Sequence, residues 1–375
     1  MRTLFLISIV LFSIPGIVHS QSHAASADVI RPRNVILMIG DGMGLSQVSA
    51  PYYFMEEEPV FSRFKYIGLA RTSSGSDLVT QSPAAATALS SGYKTYNTAV
   101  GVDMDTVPRK NIVELLSEKG YLTGVIATSP ITDATPAGFY AHQPDRYMQR
   151  EIALDLVHSE IDFFAGGGIN YFIDTTGIDL FKENGILVDY TKLRKIKNSE
   201  PGDRFGFLLA SDRMPAMLEG RKDFLEKASE IGIEFLSTGE DGFFLMIEGS
   251  QIDWAGHGNN VDYMITEMND FEQTVRSVMD YAEKDEETLV IVTADHETGG
   301  FTLGAAGSNG YEADYSTISP TFASTNHSIN LPSNLHRLVY CYNRFQQTNN
   351  PKFSSSKGVH SRTRHCSRNN ASAQK

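Results

Sequence analysis

The chain has 375 residues, 41% of them hydrophobic, and a formal charge of −13. That length can bury a large core as one big α/β domain or as two smaller ones, and composition alone does not choose between them. The acidity is uneven: residues 327–375 hold eight Lys or Arg and no Asp or Glu, so the chain before them carries 24 basic against 45 acidic residues. An acidic body of this kind argues against nucleic acid as a partner.

The N-terminus begins with Met1 and Arg2, continues as an apolar block from Leu4 to Val18, and reaches small residues at Val18-His19-Ser20 before Gln21. This is the pattern of a secretory signal peptide over residues 1–20, too short and wrongly flanked for a membrane span. No later run approaches the apolar length that a span needs, so a periplasmic or secreted protein without a membrane partner is expected. Cys341 and Cys366 are the two cysteines, and both lie in the basic tail. An exported chain has the option of pairing them, but the core has to hold together without disulfides.

From Asn34 the sequence N-V-I-L-M-I-G-D-G-M-G is an unbroken apolar run ending in a glycine-rich turn that carries Asp41. Such a run fits a strand buried on both faces of a parallel sheet. Thr80 to Asn97 follows, with Ser82 placed to cap a run of small helix formers, Pro83 at its first turn and Gly92 as the stop. The amides and dipole of a helix N-terminus favour an anion, so a phosphoryl group can be both held and transferred at such a serine. Asn111 to Glu114 is a capping box, and Tyr121 to Ala127 reads as the next strand. Its loop carries Asp133-Ala-Thr135-Pro136, followed by His142, Arg146, a helix through His158, and a short strand with a glycine turn within Asp162 to Asn170.

After an irregular middle, Phe224 to Leu236 shows a helical apolar stripe. The run Phe243 to Ile247 leads directly into Glu248-Gly-Ser-Gln-Ile-Asp253-Trp254-Ala-Gly-His257. Met268 to Ala282 is amphipathic, and the buried run Thr288 to Thr293 precedes Ala-Asp295-His296-Glu-Thr-Gly-Gly300. This alternation predicts a doubly wound, mostly parallel central sheet with helices on both faces.

In such sheets the ligand crevice lies beyond the carboxyl ends of the strands. Asp41, Glu248 with Asp253, and Asp295 with His296 all follow apolar runs, so the fold should gather them on one edge. Carboxylates about 5 Å apart repel by roughly 3 kcal/mol per pair at an effective dielectric near 20, so four ionised together require cations. Asp253 and His257 are spaced i, i+4 and face one way on a helical turn, while Asp295 and His296 are adjacent at a strand end. Mixed imidazole and carboxylate sets suit zinc, and an all-oxygen set of Asp41, Glu248 and Thr135 suits magnesium. Paired zinc ions would activate the Ser82 oxygen and stabilise the leaving oxygen, with Arg146 gripping two phosphate oxygens.

Five motifs in this order, G-D-G-M-G at Asp41, S-P-A-A-A-T-A-L-S-S-G-Y-K-T-Y-N at Ser82, D-A-T-P-A at Asp133, E-G-S-Q-I-D-W-A-G-H at Glu248 and T-A-D-H-E-T-G-G at Asp295, resemble the alkaline phosphatases. The resemblance covers roughly Arg33 to His327. It implies hydrolysis of small phosphomonoesters to inorganic phosphate through a phosphoseryl intermediate on Ser82, with Arg146 holding the phosphate. It implies one Zn2+ held by Asp253, His257 and His327, and a second held by Asp41, Asp295, His296 and the serine oxygen. One Mg2+ would take Asp41, Thr135 and Glu248, with Asp133 nearby through water. A homodimer is the usual assembly in that family.

The chain also departs from the family pattern. Gln81 stands where many members have an acid, and it keeps the capacity to hydrogen-bond toward the arginine without the charge. Trp254 stands where others carry a lysine or histidine near the phosphate, so a water-mediated cationic contact should be absent. The catalytic domain is placed at residues 28–326, and residues 327–375 are an atypical basic tail, either a frame disruption or a divergent end. The competing readings are a related phosphodiesterase or sulfatase-like hydrolase and, if the tail removes one metal site, a non-catalytic metal or phosphate-binding protein. A Ser-His-Asp esterase is weaker, because no G-x-S-x-G elbow is present.

Overall fold

A computed structural model describes residues 31–197, 199–200, 202–308, 312–323 and 337–342. The expected signal peptide lies outside these residues, as do His327 and Cys366. In chain order the strands are β1 (Asn34–Gly40), β2 (Tyr66–Ala70), β3 (Leu122–Pro130), β4 (Phe163–Gly167), β5 (Leu187–Asp189), β6 (Phe205–Leu208), β7 (Phe243–Gly249), β8 (Thr288–Ala294), β9 (Thr302–Ser308), β10 (Glu312–Thr321) and β11 (Arg337–Tyr342). Nine of them form one sheet in the order β2-β11-β8-β1-β7-β3-β4-β6-β5, and β9 and β10 form a separate antiparallel hairpin.

The seven neighbours from β8 to β5 are all parallel, as the unbroken apolar runs require. Alternate residues of these strands serve two cores. Ile36, Met38, Phe243, Leu245, Ile247 and Ile126 face one, whereas Leu37, Ile39, Phe244, Met246, Val125 and Ala127 face the other. The helices Phe224–Leu236 and Val261–Asp285 cover the first face with Leu225, Ala228, Met268, Phe271 and Val275. The helix Gln149–His158 covers the second with Ile152, Ala153, Leu156 and Val157. The doubly wound sheet expected from the sequence is therefore the observed architecture, and no helix among the described residues is long and apolar enough to cross a membrane.

Register does the positioning that the site needs. Gly40 at the end of β1 lies opposite Gly249 of β7 on one side and Ala294 of β8 on the other. The next residues, Asp41, Ser250 and Asp295, consequently emerge along one edge, and Glu248 sits between Ile39 and Ala127 two residues short of it. Strand β11 comes from the basic C-terminal stretch. Its backbone enters the central sheet between β8 and β2, antiparallel to both, and it includes Cys341.

Candidate active site

Ser82 is buried at 3% exposure and opens the helix Ser82–Ser91. The expected capping role is corrected here by one residue: Gln81 is the N-cap, in extended conformation, and the Ser82 side chain caps nothing. Its Oγ instead lies 3.1 Å from His296 Nε2. The hydroxyl is thereby turned away from its own helix toward the edge of the sheet, where β1 and β8 deliver their acids. His296 Nε2 is also 3.3 Å from Asp295 Oδ2 and 3.7 Å from Asp41 Oδ1. One ligand atom from each of Asp41, Asp295 and His296 falls within 4.8 Å of the others, and all three residues are buried.

The turn after β1 is built to bring Asp41 this close. Gly42 has a φ of +70°, and a Cβ there would stand 2.8 Å from Asp253 Cα and 2.9 Å from Thr298 Oγ1. Only glycine meets both demands. Its amide donates to Asp295 Oδ1 at 3.1 Å, as does the His296 amide at 2.8 Å, so one oxygen of Asp295 is held by backbone and Oδ2 faces the cluster.

The short helix Gln251–His257 carries Asp253 and His257 on one side, with His257 Nε2 3.4 Å from Asp253 Oδ2. Half-buried Trp254 lies between them in sequence. Glu248, 1% exposed, is reached by Ser129 Oγ at 3.5 Å. The Ser129 amide donates to Ser250 Oγ, and the Ser250 amide to Thr128 Oγ1, each at 3.0 Å, which ties the ends of β3 and β7 together around that carboxyl. Asp133 caps the turn Ala134–Ala137, and its Oδ1 accepts from Arg146 Nη2 at 2.6 Å. Arg146 takes Asp133 as its partner rather than Gln81, whose backbone amide donates to Asn97 Oδ1.

The electrostatics of the acid cluster point to cations. Burial raises the Asp41 carboxyl well above the usual carboxylate range, and Asp295, Asp253 and Glu248 raise it further. Burial pushes Glu248 up to about 8; a hydrogen bond from Ser250 opposes this, while Asp133 and Asp295 add to it. Asp253 is also raised by burial, against the pull of the His296 and His257 imidazoles. Among the described residues, Asp41 Oδ1, Asp295 Oδ2 and Thr135 Oγ1 are buried without a hydrogen-bond partner. Buried oxygens left unpaired cost free energy unless an ion takes them up, so this donor set fits divalent metals.

The structure thus brings together Ser82, Asp41, Asp295 and His296, sets Asp253 with His257, and pairs Arg146 with Asp133. Thr298 was legible only as a letter within a motif. Its hydroxyl donates to Asp253 Oδ1 and lies 3.2 Å from His296 Nδ1.

The family model described as alkaline phosphatase matches residues 32–330. The chain belongs to the alkaline phosphatase family. Alkaline phosphatase 3 of Bacillus subtilis (strain 168) is 39% identical over 79% of this chain and 67% of its own length. The solved alkaline phosphatase from the Antarctic bacterium TAB5 is 46% identical with a TM-score of 0.79, covering 84% of this chain and 92% of that one. A variant of that enzyme was solved with Mg bound. The cold-active alkaline phosphatase of a Shewanella species is 34% identical with a TM-score of 0.65, over 73% of this chain and 70% of its own. This phosphatase is accordingly a phosphomonoester hydrolase that releases inorganic phosphate.

Proposed function

We propose that this alkaline phosphatase works through a phosphoserine formed on Ser82, assisted by two Zn2+ and one Mg2+. The observation that carries the reading is the 3.1 Å approach of the buried Ser82 hydroxyl to His296, beside Asp41 and Asp295 oxygens that lack a hydrogen-bond partner. Asp41, Asp295 and His296 would hold one zinc. Asp253 and His257 would hold the other, with His327 supplied by the family resemblance. Asp41, Thr135 and Glu248 would hold magnesium. When bound, the ions neutralise the acids, lower the energy of the deprotonated serine oxygen and withdraw charge from the transferring phosphoryl group.

The chain's own residues account for the remaining requirements. Asp133 fixes the plane of the Arg146 guanidinium through one donor, leaving other N–H groups for two phosphate oxygens. Ser82 Oγ forms a bond to phosphorus as the ester P–O bond breaks and the alcohol departs. Water then attacks the phosphoserine, restoring the hydroxyl and releasing inorganic phosphate. A Ser-His-Asp esterase is disfavoured because Ser82 lies in T-Q-S-P-A, which is no G-x-S-x-G elbow.

The catalytic domain at residues 28–326, the basic tail 327–375, export through the signal peptide to a periplasmic or extracellular location, and a homodimeric assembly belong to the same reading. It is supported by the family and by the composition of the termini. Comparing rates on a nitrophenyl monoester, diester and sulfate tests the substrate class: the monoester should be fastest by orders of magnitude, and a faster diester or sulfate would replace the reading. Arg146→Ala should weaken inhibition by inorganic phosphate at least about tenfold, the scale of a lost charge-assisted bidentate contact. An unchanged inhibition constant would remove Arg146 from the phosphate site.

A further inference from the structure

We propose that Thr298 is a positioning residue that couples the two zinc-binding groups, holding His296 in one tautomer and Asp253 in one orientation through a single hydroxyl. The inference rests on the reading above that Asp253 and His296 are metal ligands. Thr298 is fully buried, and its backbone is held at both ends: its amide donates to Gly42 O at 3.2 Å, and its carbonyl accepts from Gln47 Nε2 at 3.1 Å. Those contacts staple the loop after β8 to the turn after β1 that presents Asp41 and to the helix Leu45–Ser49 that follows it. The side chain is thus delivered from a fixed point between the two groups.

A threonine hydroxyl has one proton to give. As a metal ligand Asp253 would be an ionised carboxylate that accepts only, so the proton goes to its Oδ1, the stronger charge-assisted bond. The hydroxyl oxygen then meets His296 Nδ1 at 3.2 Å with a lone pair, which requires the imidazole proton to sit on Nδ1. Nε2 is left with its lone pair directed at the Asp41, Asp295 and Ser82 side, where a ligand atom is needed. The same bond occupies Oδ1 of Asp253 and leaves Oδ2 facing His257. Partners of this kind around metal ligands typically govern affinity by 10- to 100-fold.

The test is zinc affinity of chelator-stripped protein, measured by competition with a chromophoric chelator, for wild type, Thr298→Val, Thr298→Ala and Thr298→Ser, alongside unfolding of the stripped proteins. Valine keeps the volume and removes the hydroxyl, so zinc binding should weaken by about 10- to 100-fold, while serine should stay within a few-fold of wild type. Rescue by serine separates positioning from packing. If the valine variant does not fold, the alanine and serine pair decides: weak binding by alanine with near wild-type binding by serine supports the inference, and equal affinities overturn it. Tight zinc binding by both wild type and Thr298→Val overturns the inference alone, whereas a wild type that takes up no zinc overturns the metal reading and the inference with it.

Discussion

Ser82→Ala is expected to lower kcat/KM for a nitrophenyl phosphate by about 10⁴-fold or more while leaving a folded protein. Loss of a covalent nucleophile removes the whole two-step route, and only the electrostatic assistance of the site remains for direct attack by water. The stability cost should be small, because the side chain contributes one hydrogen bond, to His296, worth on the order of 1 kcal/mol net. Acid quenching during turnover should trap phosphate on wild-type protein and none on the variant. Trapped phosphate on Ser82→Ala, or a loss of only a few-fold in rate, would place the nucleophile elsewhere.

The second large effect concerns the metal-free protein and pH. Glu248, held near 8 by burial, and the raised Asp41 and Asp253 keep protons in the folded state that the unfolded chain releases near pH 4 to 4.5. Over the window from about pH 4.5 to about 8 the folded state therefore binds more protons than the unfolded state, and its stability must fall as pH rises. Glu248 alone represents a few kcal/mol across that window. Bound cations reverse the sign, because they compete with the same protons and bind better as the carboxylates ionise. Thermal unfolding of chelator-treated protein should drop by at least about 5 °C between pH 5 and pH 8.5, while metal-replete protein should not follow it. Glu248→Gln should flatten the metal-free curve. Parallel curves with and without metal would mean that these acids do not share a cation site.

Much of the site was legible because strand ends are legible. The runs before Asp41, Glu248 and Asp295 are apolar at nearly every position, so each reads as a strand buried on two faces, and parallel order alone brings their ends together. The helix Phe224–Leu236 follows its apolar stripe residue for residue, and Asn111 forms the capping box that its spacing with Glu114 announces. The helix Val261–Asp285 begins well before its expected apolar stretch, since Asn260 caps it by accepting from the Tyr263 amide and Met264 in its first turn is already buried in the core.

What escaped has equally physical causes. The side chains of β2 are mostly exposed and lack an alternating pattern, and β2 is a strand by virtue of pairing with β11. The β9 sequence T-L-G-A-A-G-S likewise carries no alternation. Ser82 looked like a helix cap because serine before proline usually is one, yet the fold offers its hydroxyl an imidazole 214 residues away. Thr298 sits two residues from His296, but its meaning comes from Asp253, 45 residues back, a contact that only the packed structure supplies.

Diffraction data collected at the zinc absorption edge from crystals of the zinc-loaded protein test most directly whether these buried acids gather metal around the serine. Anomalous peaks should appear between Asp41, Asp295 and His296, and again at Asp253 and His257, with Ser82 Oγ beside the first. Peaks lying only beyond ligand distance of Asp41, Asp253 and Asp295 would contradict the account.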